Sequence, residues 1–402
     1  MNIIQIDDGK IVKSWCQEIE ASALSQIQNL ARLPFAFHHV ALMPDCHTGY
    51  GMPIGGVLAT EGVVIPNAVG VDIGCGMCAV KTSLKVKQVT TDALKRVMGE
   101  IRKTIPVGMN RHQHAQDRSL MPIDEAYAPL IWKQEYGSAL KSLGTLGGGN
   151  HFIEIQKDTE GSVWIMIHSG SRNLGKKVAD HYNALAVEMN EKYFSTVPTK
   201  WELAFLPLNT QEAKDYIAEM NYCVSFALSN RYLMIQRIIE QFQKEFKLSG
   251  GEILGQYGFD APADNGIINI AHNYARMEHH FGQDVMVHRK GATSARAGEI
   301  GIIPGSQGSK SYIVRGLGNE ESFQSCSHGA GRKMGRKQAS RELNLQDEIK
   351  KLDDQGIIHA IRTEKDLDEA SGAYKSIDEV MKSQADLVEI MVELLPLAVI
   401  KG

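Results

Sequence analysis

The sequence predicts a single large, compact α+β fold whose strands deliver His-bearing loops to one central site, with helices packed around it. Three observations predict this. Apolar runs such as Val163-Trp164-Ile165-Met166-Ile167 and Ile267-Ile268-Asn269-Ile270-Ala271 read as strands, and each ends at a histidine, His168 and His272. The His-bearing loops are spread from Asp72 to His328, and no Ser-rich or charge-block linker divides the 402 residues, so one catalytic domain spanning 1–402 is expected. Helical periodicity recurs between the strands, most plainly from Gln211 to Phe246, where Tyr216, Met220, Val224, Leu228, Tyr232, Ile235, Ile239, Phe242 and Phe246 share a face.

Composition excludes some classes of function. With 43 Lys+Arg against 47 Asp+Glu, the net charge of -4 predicts neither a nucleic-acid coat nor a membrane-surface protein, so a polyanion must be met by a local patch. Six cysteines are too sparse for a disulfide framework, and Cys75 to Cys78 has no second CxxC pair to make a zinc ribbon. The start, Met1-Asn2-Ile3-Ile4-Gln5-Ile6-Asp7-Asp8, has acids where a secretory leader needs a basic and then an apolar segment, which predicts a cytoplasmic protein. The most apolar stretch, Leu387–Ile400, is interrupted by Glu389, Glu393 and Pro396, so no membrane partner is expected.

In chain order, residues 34–60 read as a buried strand entering a glycine-punctuated loop that carries Asp45 and His47. The next loop, Gly70-Val71-Asp72-Ile73-Gly74-Cys75-Gly76, sets a carboxylate and a thiol three residues apart, and its glycines let a ligand or a second loop come close. A strand follows near Cys78–Thr82, and residues 91–104 have helical spacing at Leu94, Val97, Met98 and Ile101, with Thr91 and Asp92 available as caps. Residues 109–135, with Arg111, His112, His114 and Arg118, read as a polar surface excursion.

The loop Gly147-Gly148-Gly149-Asn150-His151 enters a strand whose alternation groups His151, Ile153 and Ile155. After His168, the Ser169-Gly170-Ser171-Arg172 loop feeds a helix from about Gly175 to Tyr193, an arrangement suited to an anion. The long segment from Gln211 is expected to stop at Gly250-Gly251. Pro304 to Lys310 looks like a phosphate-binding loop, but Ser309 stands where glycine is needed and Tyr312-Ile313-Val314 reads as a strand rather than a helix. Ser327-His328-Gly329-Ala330-Gly331 then opens a predicted helix with Arg332 and Arg336 one turn apart and Lys333 and Lys337 beside them, a local basic patch. A last helix is expected over Ile377–Leu395, stopping before Pro396.

Asp72, Cys75, His151, His168 and His272 together supply one carboxylate, one thiolate and three imidazoles, enough for two metal ions if Cys75 bridges. Each alone has a bland reading as a packed or solvated side chain; five on glycine-lined loops do not. Ligand softness argues for zinc or iron before manganese, so the residue types leave the metal open.

These motifs, with Met43-Pro44-Asp45, Leu146 through Glu154, His168 through Arg172, His272-Asn273, Pro304-Gly305-Ser306 and Ser327 through Arg332, resemble those of the RtcB-type RNA-splicing ligases over nearly the whole chain. The resemblance implies an RtcB-like fold around a dimetal site. It also implies a GTP- and manganese-dependent ligase that joins RNA 3′-phosphate or 2′,3′-cyclic phosphate ends to 5′-hydroxyl ends, in RNA repair or tRNA splicing.

Carried over by motif, Asp72, Cys75 and His151 hold one manganese, and Cys75, His168 and His272 the other. His328 matches the nucleophile that takes GMP as a phosphoramidate. Asn150, His151, Phe152, Ile153, Glu154, His272, Asn273, Pro304, Gly305, Ser306, Gln307, Ser311, His328, Gly329, Ala330, Gly331, Tyr374 and Lys401 match the guanylate contacts. Arg172, Arg332 and Arg336 are candidates for RNA phosphates, because a guanidinium grips phosphate bidentately. RNA ends and GTP are the implied partners, with an archease-type activator as a further candidate.

Gln307, Gly335 and Asn173 depart from the family's usual Met, Ser and Gly, which bears on nucleotide and RNA contacts but on no metal ligand. The lysine motif KxDG of conventional nucleotidyl-transferring ligases is absent, which favours His328 as nucleophile. The alternative reading is a metal-dependent phosphoesterase acting on RNA ends without guanylylation. A non-catalytic RNA-binding protein would keep the arginines without needing the full donor set, and ranks last.

Overall fold

The computed structural model describes residues 1–123, 131–249, 252–257 and 266–402, and these form an α+β molecule built on two large sheets. A six-stranded sheet runs in the order Asn2–Ile4, Ile11–Ser14, Ala36–His47, Ile54–Thr60, Gln283–Lys290, Asn273–His280. Its neighbours are antiparallel except for the parallel pair Ile11–Ser14 and Ala36–His47. A seven-stranded antiparallel sheet runs Ile268–Ala271, Gly76–Lys85, Ser162–Ser169, Phe152–Asp158, Val388–Lys401, Ser311–Gly316, Ile300–Ile303. The chain crosses between the sheets at His272, which lies between Ile268–Ala271 in one and Asn273–His280 in the other.

The strand Ser162–Ser169 is buried along its whole length because both faces of its sheet are covered. Side-chain alternation divides it. Val163, Ile165 and Ile167 pack with Ile153 and Ile155 against Leu94, Val97 and Ile101 of helix Thr91–Thr104, and against Met234, Ile238 and Phe242 of helix Gln211–Phe246. Trp164 and Met166 face the other way, onto Phe152, Val399 and Leu352. Trp164 is fully buried, so truncating it to Ala should cost about 3–5 kcal/mol.

The helix Gln211–Phe246 is a single element of 36 residues, capped by the Thr210 hydroxyl accepting from the Ala213 N–H and ended by Lys247 in the left-handed region. The Gly250-Gly251 stop lies outside the described residues. Thr90, one residue before the expected caps, caps helix Thr91–Thr104. Among the described residues, no helix is long and apolar enough to cross a membrane.

The structure corrects the expected elements in five places. Ile377–Leu395 is not one helix: Ile377–Ser383 is helical, and Val388–Lys401 is a 14-residue strand inside the seven-stranded sheet. Its β-branched Val388, Ile390, Val392, Val399 and Ile400 favour the extended form, and Pro396 sits at a register shift where a missing N–H costs little. Arg332 precedes rather than shares the helix of Arg336, which runs Arg336–Glu342 from a Gly335 cap, while Arg332 bridges Tyr374 in irregular backbone.

The polar excursion also ends early, because Ile131–Ser142 is a helix whose Trp132 stacks on Tyr222 at 4.5 Å; residues 124–130 lie outside the described residues. Asp45 and His47 end the long strand Ala36–His47 instead of lying on the loop beyond it. The helix after His168 starts at Arg172 and ends at Lys192.

Candidate metal centre and nucleotide site

Four chain segments converge where the two sheets meet. Cys75 enters the strand Gly76–Lys85, His168 lies in the strand beside it, and Gly76 is paired with both Ser169 and Ala271. His272 N–H donates to the Cys75 carbonyl at 2.8 Å, which fixes the two ligand-bearing segments to each other. His151 precedes the strand Phe152–Asp158, paired with Ser162–Ser169.

The donor atoms form a short chain. Asp72 Oδ2 is 3.1 Å from His151 Nε2, Cys75 Sγ is 3.5 Å from that nitrogen and 3.3 Å from His168 Nε2, and His168 Nε2 is 3.4 Å from His272 Nε2. Cys75, His151 and His168 alone present three ligand atoms close enough for one ion. Cys75 stands between the Asp72–His151 pair and the His168–His272 pair, the position a bridging ligand requires. Gly170 admits this arrangement, because a Cβ there would meet Asp72 Oδ1 at 2.3 Å.

Ring orientation is set from behind. His151 Nδ1 faces the Leu146 carbonyl and His168 Nδ1 the Asn150 carbonyl, each at 3.0 Å. A carbonyl only accepts, so each Nδ1 carries the proton and each Nε2 turns a lone pair inward. Burial lowers the pKa of His168 and His272 well below the usual histidine range, which keeps them neutral. Burial and the Asp72 charge push the Cys75 thiol well up; a bound divalent cation reverses that logic and favours the thiolate. Burial pushes Asp72 up, but the neighbouring His151 outweighs it and holds the carboxyl below its ordinary value.

His328 stands at the edge of this cluster, its ring centroid 4.8 Å from that of His272. Its Nδ1 meets Asp45 Oδ2 at 2.6 Å, and the same oxygen accepts the backbone N–H groups of His328 and Gly329 at 3.1 and 3.3 Å. Asp45 is fully buried. The carboxylate therefore holds the Nδ1 proton and leaves the Nε2 lone pair of His328 free to react. Gly331 has φ +73° and packs on the Asp45 carbonyl, where a Cβ would come within 2.2 Å, so the glycine is required for the loop to close on the strand end.

The expected guanylate contacts fall into two groups beside this ring. Glu154 accepts from Gln156 Nε2 at 2.7 Å, Gln156 donates also to Ser311 Oγ at 3.1 Å, and Ser311 accepts from Gly305 N–H at 3.3 Å. Burial raises the Glu154 carboxyl to about 7 against the pull of Gln156 and Lys401. Lys401, paired with Phe152 across the sheet, is lowered by its own burial. In the second group, Tyr374 hydrogen-bonds Glu369, and Gln307 Nε2 donates to the Glu369 carbonyl at 3.0 Å. Pro304 lies against Gly329, and Ser306 hydrogen-bonds Ser309, so Pro304–Lys310 is a self-braced turn entering a strand. Phe152 and Ile153 place their side chains in the core, leaving backbone for any ligand, and Ala330 is buried likewise. Asn273 joins the Gly291 N–H at 2.7 Å to the Asp72 carbonyl at 3.0 Å, bracing the metal loop.

The three arginines differ. Arg172 is packed behind His151, its guanidinium 3.3 Å from both Thr145 Oγ1 and the Gly108 carbonyl. Arg332 is bound to the buried Glu369 carboxylate at 2.6 Å and to the Asp368 carbonyl at 2.6 Å. Arg336 meets the other Glu369 oxygen at 2.8 Å with 53% of its side chain exposed, which leaves guanidinium donors facing solvent.

The sequence marks Asp45 by its loop and by the Met43-Pro44-Asp45 motif but not as the partner of His328, and it gives Asn230 and Arg231 on the long helix no role. Arg231 is fully buried and donates to the Gly74 and Ser169 carbonyls at 2.9 and 2.8 Å and to Asn269 Oδ1 at 2.8 Å, tying together the backbones beside Cys75, His168 and His272. Asn230 accepts from Gly144 and Thr145 N–H and donates to the Gly170 carbonyl. The available signal was an Asn-Arg pair interrupting an apolar helical stretch.

A family model described as tRNA-splicing ligase RtcB matches residues 26–402. The protein described as RNA-splicing ligase RtcB from Escherichia coli (strain K12) is 40% identical over 414 aligned positions, covering 97% of this chain and 97% of its own. The tRNA-splicing ligase RtcB of Thermococcus kodakarensis is 31% identical, covering 94% of this chain and 91% of its own. That of Archaeoglobus fulgidus is 31% identical, covering 98% and 93%.

Proposed function

The chain belongs to the RtcB family of RNA-splicing ligases, and on that premise we propose that it is a GTP- and manganese-dependent ligase joining RNA 3′-phosphate or 2′,3′-cyclic phosphate ends to 5′-hydroxyl ends in the cytoplasm, in RNA repair or tRNA splicing. The observation that carries the reading is His328, its Nδ1 proton held by buried Asp45 and its ring packed on His272, one of five converging donors.

The donors present fit a pair of divalent ions. Inward-facing Nε2 lone pairs crowd within 3.4 Å, a thiol stands between them, and a carboxylate closes one end. His272 Nδ1 has no hydrogen-bond partner, so no protein acceptor fixes its tautomer, and its Nε2, 3.4 Å from that of His168, would take its place among the donors. Asp72, Cys75 and His151 would hold one manganese, and Cys75, His168 and His272 the other. When bound, the ions neutralise triphosphate charge and favour attack at phosphorus.

The chain's own residues supply the rest. His328 Nε2 attacks the α-phosphorus of GTP, pyrophosphate leaves, and GMP is held on the ring as a phosphoramidate, which splits one difficult ligation into easier steps. Asp45 keeps the reacting nitrogen unprotonated and stabilises the charge the ring gains. Glu154 offers its carboxyl to the N–H edge of guanine, one oxygen already accepting from Gln156, with Lys401 beside it and Tyr374 in the neighbouring group bound to Glu369. Arg336 offers its exposed donors to RNA phosphates, with Arg332 and Arg172 behind it.

The test uses two RNA oligonucleotides, one ending in 3′-phosphate and one beginning with 5′-hydroxyl, with GTP and Mn2+, in the presence and absence of an archease-type activator. A joined product that needs GTP is expected. Release of phosphate with no joined product would refute the ligase reading in favour of a phosphoesterase.

A further inference from the structure

Next to Asp45 in the strand Ala36–His47, Cys46 shares a buried cluster with Cys16. Cys16 follows the strand Ile11–Ser14 and Cys46 lies in its parallel neighbour Ala36–His47, with Trp15 N–H donating to the Leu42 carbonyl at 2.9 Å to hold the register. The Cys16 thiol donates to the Glu18 carbonyl at 3.1 Å. Both thiol residues line a cavity of about 750 Å³, together with Pro44, Arg332, Lys375 and Glu379. Lys375 Nζ reaches into this corner, 3.4 Å from Cys16 Sγ, 2.7 Å from the Cys46 carbonyl and 3.3 Å from that of Pro44.

We propose that Cys16 and Cys46 are a peroxide-reactive dithiol that closes to a disulfide and so restrains Asp45, the carboxylate that holds His328. Two buried cysteines drawn to one ammonium, which lies beside the sulfur of Cys16 and the carbonyl of Cys46, and a cavity lined by both are what such chemistry needs. The contact with Cys46, aided by Lys375 and opposed by burial, holds Cys16 below the usual thiol range, and the same contact and burial push Cys46 up. Lys375 Nζ stands 3.4 Å from Cys16 Sγ and favours its thiolate, so Cys16 is the attacking thiol and Cys46 the resolving one.

In the first step the Cys16 sulfur attacks a hydroperoxide oxygen. An S–O bond forms, the O–O bond breaks, and the departing alkoxide or hydroxide leaves protonated, giving a sulfenic acid. In the second step the Cys46 sulfur attacks the Cys16 sulfur, the S–S bond forms, the S–O bond breaks, and the Cys46 proton leaves with hydroxide as water. The two sulfurs are oxidised and the peroxide is reduced. Cys46 directly follows Asp45, whose carbonyl packs on Gly331 and whose carboxylate binds His328, so a shift of Cys46 is passed to the nucleophile.

The test treats the full chain, loaded with Mn2+, with increasing hydrogen peroxide. Peptides are mapped by mass spectrometry without reduction, and self-labelling by α-labelled GTP is followed before and after dithiothreitol. A Cys16–Cys46 peptide short of two hydrogens is expected, with labelling lost in step and regained on reduction. Cys16→Ser should label normally and resist peroxide, while Cys46→Ser should stop at a dimedone-trapped sulfenic acid on Cys16. Oxidation of Cys75 before any linked peptide forms, or a linked peptide with undiminished labelling, overturns the proposal. The labelling arm rests on the nucleotidyl reading and the peptide map does not, so a reduced protein that takes no label refutes that reading instead.

Discussion

Replacing Asp45 by Asn should slow the attachment of GMP to His328 by about 10- to 100-fold while GTP still binds. In the wild type one carboxylate oxygen accepts the ring Nδ1–H at 2.6 Å and two backbone N–H groups at 3.1 and 3.3 Å. Asn has a single acceptor oxygen and no charge. If that oxygen takes the same place, its NH2 occupies the site of Asp45 Oδ1, which is buried with no hydrogen-bond partner. If the amide turns, it aims a donor at three donors. Either way a charge-assisted hydrogen bond worth about 1.5–3 kcal/mol is lost, and about 1.4 kcal/mol corresponds to a tenfold rate change. The ring is then free to carry its proton on Nε2, where it blocks attack. The assay is the single-turnover rate of self-labelling with α-labelled GTP at saturating Mn2+, with GTP affinity measured separately. A rate within about threefold of wild type, or ~0.6 kcal/mol, would refute the reasoning, because Asp45 would then only brace the loop.

Cys75→Ala should leave the fold intact but lose bound Mn2+ and, with it, self-labelling and ligation; two ions retained at near-normal activity would remove the thiolate from its bridging place, and a silent change would mark a small buried Cys. Arg336→Ala should weaken RNA joining and reduce the slope of log affinity against log salt by about one, with self-labelling preserved; equal loss of both steps would assign the arginine to Glu369 or the nucleotide. Glu154 has a carboxyl raised by burial from 4.5 to about 7, so the folded state binds its proton more tightly than the unfolded chain does. Its contribution is therefore full below pH 4.5 and is lost as pH rises towards 7, by about 3 kcal/mol at most. Glu154→Gln should flatten that fall in urea unfolding series across this range, and an unchanged slope would count against a buried, proton-binding Glu154.

The metal donors were legible because each histidine ends or begins an apolar strand beside a glycine, a local pattern that packing alone does not require. The long helix was legible for a similar reason, its period and its Thr210 cap both being local. Val388–Lys401 was not, because Glu389 and Glu393 fall at a spacing that a helix also allows, and its strand form comes from pairing with Phe152–Asp158 and Ser311–Gly316 far away in sequence. The one-turn spacing of Arg332 and Arg336 suggests one helix, but Gly329, Gly331 and Gly335 flank Arg332 and the helix begins only at Arg336. Asp45 is marked by the Met43-Pro44-Asp45 motif, but its hold on His328 is not legible, because the two are 283 residues apart and a lone acid at a strand end carries no local mark of that pairing. Arg231 is hidden in the same way, its three acceptors lying on the loop of Gly74 and on the two strands of Ser169 and Asn269, which only the fold brings together.

The most direct test of the account is where the label goes when the chain is incubated with α-labelled GTP and Mn2+, denatured and mapped by peptide. A phosphoramidate on His328 is expected, labile to acid and stable to alkali, and His328→Ala should bind GTP and manganese without ever becoming labelled. Covalent GMP on the His328→Ala protein, or a label that maps to Lys310 or Lys401, would contradict it.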